Sequence, residues 1–306
     1  PDPDGELTMI SRIATFGHST TMLAASLKVQ AKLADQQAQT ASGLKSTTYG
    51  GLGSNTGSLL RLSSQSTSLT AENAAAKTAT AYVNAAYSAL GDIADLATTI
   101  KTQLASMISS TTIDAATTAQ YATNWLNDLQ ALMNSTSGGA YLFSGTAGDA
   151  AAADFSDADW DPASGTSTGF YQGSSSTRTF TTTDGQTINL SVSGGSAAFE
   201  KLARALSMII ASPDDSSVVS SAYDLASEAL TGIGSLQEQV SLQASSLDSL
   251  IERNEAKIES IDTLASNLKD ADLAETAVLA TQYETQLEAM YSMISSLSSL
   301  SLTKYL

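Results

Sequence analysis

Few residues in this chain have the types and spacing to bind or transform a ligand. Asp157, Asp159 and Asp161, preceded by Asp154, occupy the first three ligand spacings of an EF-hand loop, which would offer carboxylate oxygens to Ca2+. The sixth position, however, is Pro162 where the sharp turn needs Gly, and the twelfth is Thr168 where a bidentate Glu belongs. The run therefore reads as a solvated loop. His18 is the only histidine and cysteine is absent, so a hydrolytic triad, a thiol nucleophile and a zinc–thiolate site all lack their components. Trp125 and Trp160 could line a ligand site but read as core packing and loop anchoring. No phosphate-cradling glycine loop is present, and no catalytic, cofactor-binding or metal-ligating residue is nominated. The expectation is a protein that is not an enzyme and carries no cofactor.

What the chain does specify is helix pairing. Leu62, Leu69, Ala76, Val83, Leu90, Ala97 and Leu104 recur every seven residues, as do Val219, Ala226, Ile233, Val240, Leu247, Asn254, Ile261 and Leu268. Second apolar positions are read at Leu59, Tyr87, Ala94 and Ile108, and at Ala222, Ala229, Leu236, Leu250 and Leu264. A repeat of seven keeps one helix stripe facing a partner. Residues 59–108 and 219–268 would each extend about 75 Å and are expected to fold back antiparallel as a coiled-coil rod. Asn254, on the second stripe, either sets register or faces water. Gly91, Gly232 and Gly234 interrupt these helices, which suits close packing against a neighbour or local bending.

Composition agrees. The 306 residues contain four prolines and 6% aromatics, a profile of long helices with thin seams. The net charge of −17, from 31 acidic and 14 basic residues, would repel a phosphate backbone and an anionic membrane surface, so neither nucleic acid nor membrane is an expected partner. No run reaches the eighteen or so apolar residues that a membrane helix needs. Pro1–Thr8 reads as an extension ahead of a natural start at Met9, and the residues after Met9 lack a signal-peptide core.

Shorter elements flank the rod. A helix over Phe16–Leu44, with Leu23, Leu27 and Leu33 on one side and Gln30 and Gln37 interrupting, ends at Ser42-Gly43 and precedes a glycine-rich loop at Tyr49–Gly57. A further helix is expected over Asp114–Met133 and another from Ala197, with Pro213-Asp214-Asp215 marking a break. Between them, Asp184-Gly185 predicts a two-residue hairpin whose Ile188, Leu190 and Val192 share a face. Asp270 and Asp272 suit the start of a last helix over 273–302, comparable in length to the first. The fold class is therefore mainly α with a small β insertion. The expected division is 9–45 with 270–306 as paired terminal helices, 46–137 with 197–269 as the rod, and 138–196 as a β-rich insertion.

Certain segments resemble the bacterial flagellin superfamily, most closely its hook-associated, hook–filament junction branch. They are Met9–Thr15, Gly139–Thr146 (GAYLFSGT), Tyr171-Gln172-Gly173 with Phe199, Asp270–Glu275 (DADLAE) and Ser299–Leu306. The resemblance implies a secreted structural subunit of the extracellular flagellum that adapts hook to filament. Such a subunit passes unfolded through a type III export channel with a chaperone, then self-associates with flagellin and other hook-associated subunits in a tubular lattice. On that basis the expected assembly residues are Leu23, Leu27 and Leu33 with Leu287, Met290, Ile294, Leu297 and Leu300. A main filament flagellin is the alternative within the class. A surface adhesin or glycan-binding protein using residues 138–196 is the alternative outside it.

Overall fold

The computed structural model describes the backbone of residues 3–110, 112–165 and 167–302, and the side chains of 17–296 within those ranges. The chain forms two compact units, one from 1–66 with 259–306 and the other from 67–258. Among the described residues six α-helices follow in order: α1 (Pro3–Ser42), α2 (Thr56–Ile108), α3 (Ala115–Met133), α4 (Ala197–Ala211), α5 (Ser216–Lys269) and α6 (Leu273–Leu302). The two long helices and the last begin and end within three residues of the limits expected from the heptads. The first helix starts thirteen residues earlier than expected, so the terminal helices are 40 and 30 residues long rather than equal.

In the second unit α2 and α5 run antiparallel. Lys77 pairs with Glu255 at 3.3 Å, and farther along the Lys101 ammonium lies 5.5 Å from the Tyr223 ring centre. Their seam is built from Ala76, Val83, Ala86, Leu90, Ile93, Ala97, Ile100 and Leu104 against Val219, Ala222, Ala226, Ala229, Ile233, Val240 and Leu247, all buried. The expected second positions of α2 need correction. Tyr87 and Ile108 are exposed and Ala94 only partly covered, because Ala86, Ile93 and Ile100 are the residues that turn inward. Leu264 of α5 is likewise exposed. Both alternate positions repeat every seven residues, so periodicity alone does not choose between adjacent faces.

Helices α3 and α4 add a further layer. Asp114 caps α3 by accepting from the Ala116 N–H at 3.2 Å, and Ser196 caps α4 by accepting from the Ala198 N–H at 3.3 Å. Trp125, Leu129 and Met133 of α3 and Phe199, Leu202, Leu206 and Ile209 of α4 are buried. Gly232 permits the approach of α4 to α5, since a Cβ there would lie 2.9 Å from the Ala198 methyl. Gly234 faces open space and Gly91 has room for a side chain, so close packing explains only one of the three helical glycines.

The segment between α3 and α4 is the small β insertion, two short antiparallel hairpins set among turns. Strands β1 (Thr136–Ser137) and β2 (Ala140–Tyr141) pair around Gly138-Gly139, whose φ values of +58° and +83° fit a tight two-residue turn. Strands β3 (Thr179–Thr181) and β4 (Thr187–Asn189) pair with Phe180 opposite Ile188. Their loop is not the two-residue type expected. The Gly185 N–H donates to the Thr182 carbonyl at 2.9 Å and Gly185 has φ +81°, while Asp184 stays at negative φ. This is a type I turn followed by a left-handed Gly, which places the positive φ on the residue that tolerates it. An aromatic cluster anchors the segment: Phe170 lies 5.2 Å from Phe155 and 5.1 Å, edge-on, from Trp160. Asp157 and Asp161 accept the N–H of Asp159 and of Ala163, so these carboxylates close loop turns.

The Gly139–Thr146 segment that carries part of the family resemblance is bonded at the neck of this insertion to the chain just beyond Tyr171–Gly173 and to the chain leading into α4. The Ser174 N–H donates to the Ser144 carbonyl at 2.9 Å, Thr146 N–H to Ser176 at 3.1 Å and Gly194 N–H to Phe143 at 2.8 Å. Gly145, at φ +65°, has no room for a Cβ, which would overlap the Ser174 carbonyl oxygen. Gly145→Ala is therefore expected to destabilise the second unit by about 2–3 kcal/mol, from the strained φ and the overlap together. Urea unfolding monitored by Trp fluorescence reads this directly.

Acid sensitivity has two opposing sources. Hydrogen bonds from Thr117, Ser156 and Ser217 hold the Asp114, Asp154 and Asp215 carboxyls below their usual range. Their stabilisation is present above the unfolded value of about 3.9 and is lost as pH falls through the lower folded values. Burial raises Glu200, against the opposing pull of Arg204 at 3.3 Å. Its contribution is full below its unfolded value and declines as pH rises through the folded one. Asp215→Asn should flatten the loss of urea stability on acidification, and Glu200→Gln should steepen it.

Candidate functional site

Unit one brings the two terminal helices together. Helix α1 ends where Gly43, at φ +71°, turns the chain and donates to the Gln39 carbonyl at 2.8 Å. Asp272 caps α6, accepting from the N–H groups of Ala274 and Glu275. The two connections are stitched to each other: Lys45 N–H donates to the Lys269 carbonyl at 2.8 Å and Ala271 N–H to Gly43 at 2.9 Å. The Lys45 ammonium then reaches the Asn267 carbonyl at 2.6 Å, capping the end of α5 with positive charge.

From that knot α1 and α6 run antiparallel in contact. Thr40 bonds Thr276 at 3.1 Å, the Lys32 ammonium lies 5.6 Å from the Tyr283 ring centre, and Gln30 donates to the Tyr291 hydroxyl at 2.5 Å. Met22, Val29 and Leu33 face this seam from α1, and Tyr283, Leu287, Met290 and Ile294 from α6. Most are only half-buried. Among the described apolar residues of α6, Leu287, at 7% exposure, is the one that is fully enclosed. Ser26 and Thr276 are buried in the same seam, so much of its interior is hydroxyl rather than hydrocarbon.

The residues expected to act together thus divide. Leu33 joins Leu287, Met290 and Ile294 in the seam within the chain. Leu23 and Leu27, at 54% and 57% exposure, point away from it. The side chains of Leu297 and Leu300 lie outside the described residues. Sequence reading missed the face on which Leu23 and Leu27 stand: Thr20, Leu23, Ala24, Leu27, Ala31, Ala34, Ala38 and Ala41 recur at three- and four-residue steps and are all exposed. A second heptad phase on α1 was the available signal. On α6, Val278 and Met293 are exposed in the same way. Charge differs between the two helices, with Arg12, Lys28 and Lys32 balancing Asp4, Glu6 and Asp35 on α1, and Glu275, Glu284 and Glu288 unopposed on α6.

No family model and no curated protein matches this chain at the level of sequence. Solved structures do match. A Vibrio parahaemolyticus protein described as a flagellar hook-associated protein superposes with a TM-score of 0.57 at 14% identity, covering 69% of this chain and 96% of that one. Over the aligned part the chain shares the fold of that Vibrio protein. Bacillus cereus FlgL aligns over 67% of this chain and 98% of its own length, also at 14% identity, with a TM-score of 0.45.

The division of the leucines predicts opposite stability effects. Leu287→Ala should cost about 2–4 kcal/mol of α1–α6 pairing, seen as lost helical circular dichroism and lost protection of the terminal segments. Leu23→Ala with Leu27→Ala should leave the isolated chain within about 0.5 kcal/mol of wild type per site.

Proposed function

We propose that this chain is a structural, non-enzymatic subunit of the bacterial flagellum that adapts hook to filament. On this reading it leaves the cell through the type III export channel with a chaperone and joins neighbouring subunits through α1 and α6. The observation that carries the reading is the character of those helices within a hook-associated fold. They pair through a thin, partly polar seam and leave Leu23, Leu27, Val278 and Met293 in water. Such exposure on a helix pair is what a further helical layer would cover. A seam this sparse also keeps the terminal helices easy to unfold for passage through a narrow channel, because little burial opposes their backbone entropy of about 1–2 kcal/mol per residue.

Immunogold electron microscopy of flagella, with antibody raised against residues 138–196, tests the assignment. The expected result is label confined to a band between hook and filament. Label along the whole filament would make the chain a filament flagellin, and label on the cell body alone would favour an adhesin. Replacing Leu23 and Leu27 by Asp should remove the band while the purified chain keeps its helical content.

A further inference from the structure

The β3–β4 hairpin lies across both long helices. The Thr183 hydroxyl donates to a carboxylate oxygen of Glu72 on α2, and the Asp184 carboxylate lies 3.6 Å from the Lys257 ammonium of α5. One turn of three residues therefore touches two helices that belong to the same antiparallel pair. At the base of the segment, Arg178 stacks 4.8 Å from the centre of the Tyr82 ring, and the Tyr82 hydroxyl donates to the Leu142 carbonyl at 3.0 Å. The hairpin is thus held at residue 82 and reaches along α2 to residue 72, about 15 Å of helix.

The seam beneath it is more polar than the stretch beyond, where Gln243 of α5 is a buried exception whose Oε1 is also unpaired. From Ala76 to Leu104 the inward residues of α2 are apolar, but next to them Glu72 and Asn73 are buried. On α5 the corresponding stretch holds Asn254, 2% exposed. Asn73 Oδ1 and Asn254 Nδ2 are both enclosed without a hydrogen-bond partner. One enclosed, unpaired polar atom on each amide opposes closure of the helices at that level, whereas the alanine and leucine layers beyond it favour closure. The exposed Lys77–Glu255 ion pair ties α2 to α5 beside this stretch, and the hairpin adds a second grip on both helices.

We propose that the β3–β4 hairpin is a releasable strap that keeps α2 and α5 closed over the polar stretch of their seam around Asn73 and Asn254. Phe180 and Ile188 pack the strands on the core, whereas the tip holds on through one hydrogen bond to the buried Glu72 carboxylate and one solvent-exposed ion pair that salt can weaken. Lifting the tip lets water reach the two amides while the apolar layers stay closed. The strap is a property of the second unit alone and stands independently of any flagellar role.

Hydrogen–deuterium exchange on the full chain tests it. In the Thr183→Val, Asp184→Ala double variant, amides of 67–80 and 250–258 should exchange about tenfold faster than in wild type. Those of 86–104 and 222–240 should be unchanged. In a charge-swapped chain, Asp184→Lys with Lys257→Asp, protection should stay close to wild type, while Asp184→Lys alone should behave like the double variant. Unchanged exchange in every window would show that the hairpin merely rests on the helices. Uniform acceleration across all four windows would show that it supports the whole unit rather than strapping one stretch. Either outcome overturns the proposal.

Discussion

Every part of this protein depends on one constraint: long helices must stay paired through seams made largely of small side chains. Alanine lets backbones come close but contributes little buried area, so pairing needs length and continuity to outweigh chain entropy. Between α2 and α5 that continuity exists. Alanine layers alternate with Leu, Ile and Val, and α3 and α4 add Trp125, Phe199 and their neighbours as a second apolar layer. Between α1 and α6 it does not. Few large side chains enter that seam, and hydroxyl groups from Ser26 and Thr276 take part of the space.

The contrast assigns different work to the two units. The unit of 67–258 has its own core and is expected to keep its structure whatever surrounds it. The unit formed by the chain ends is held by a hydrogen-bonded knot at Gly43, Lys45, Lys269 and Ala271 and by a sparse seam beyond it. Its outward leucines give a neighbouring subunit apolar surface to cover. In the proposed role, binding then supplies the burial that the isolated helices lack.

Much of this was legible in the residues. Heptads placed α2, α5 and α6 closely, because apolar spacing and capping residues such as Asp272 and Asp114 act locally. The choice between adjacent faces was not legible. Tyr87 and Ala86, or Leu27 and Leu33, satisfy similar periodicities, and only the partner helix decides which turns inward. The turn at Asp184-Gly185 was found but its type was not, since Thr182 closes it through both carbonyl and hydroxyl from outside the dipeptide. The β insertion is legible in its turn residues and in the alternation of Ile188, Leu190 and Val192, whereas the clustering of Phe155, Trp160 and Phe170 that organises its loops is a tertiary feature. Asn254 was recognised as an anomaly on an apolar stripe. That its amide would be enclosed without a partner depends on α2 across the seam and could not be read from α5 alone.

The central claim is that α1 has an inner face satisfied within the chain and an outer face satisfied only by another subunit. The chain's lack of cysteine makes the test direct. Single variants Leu27→Cys and Leu287→Cys would be treated with a soluble maleimide, first as purified chain and then in intact flagella. The thiol at 287 should react slowly in both, and the thiol at 27 should react rapidly in the free chain and become protected on assembly. Continued rapid reaction at position 27 in assembled flagella would contradict the account.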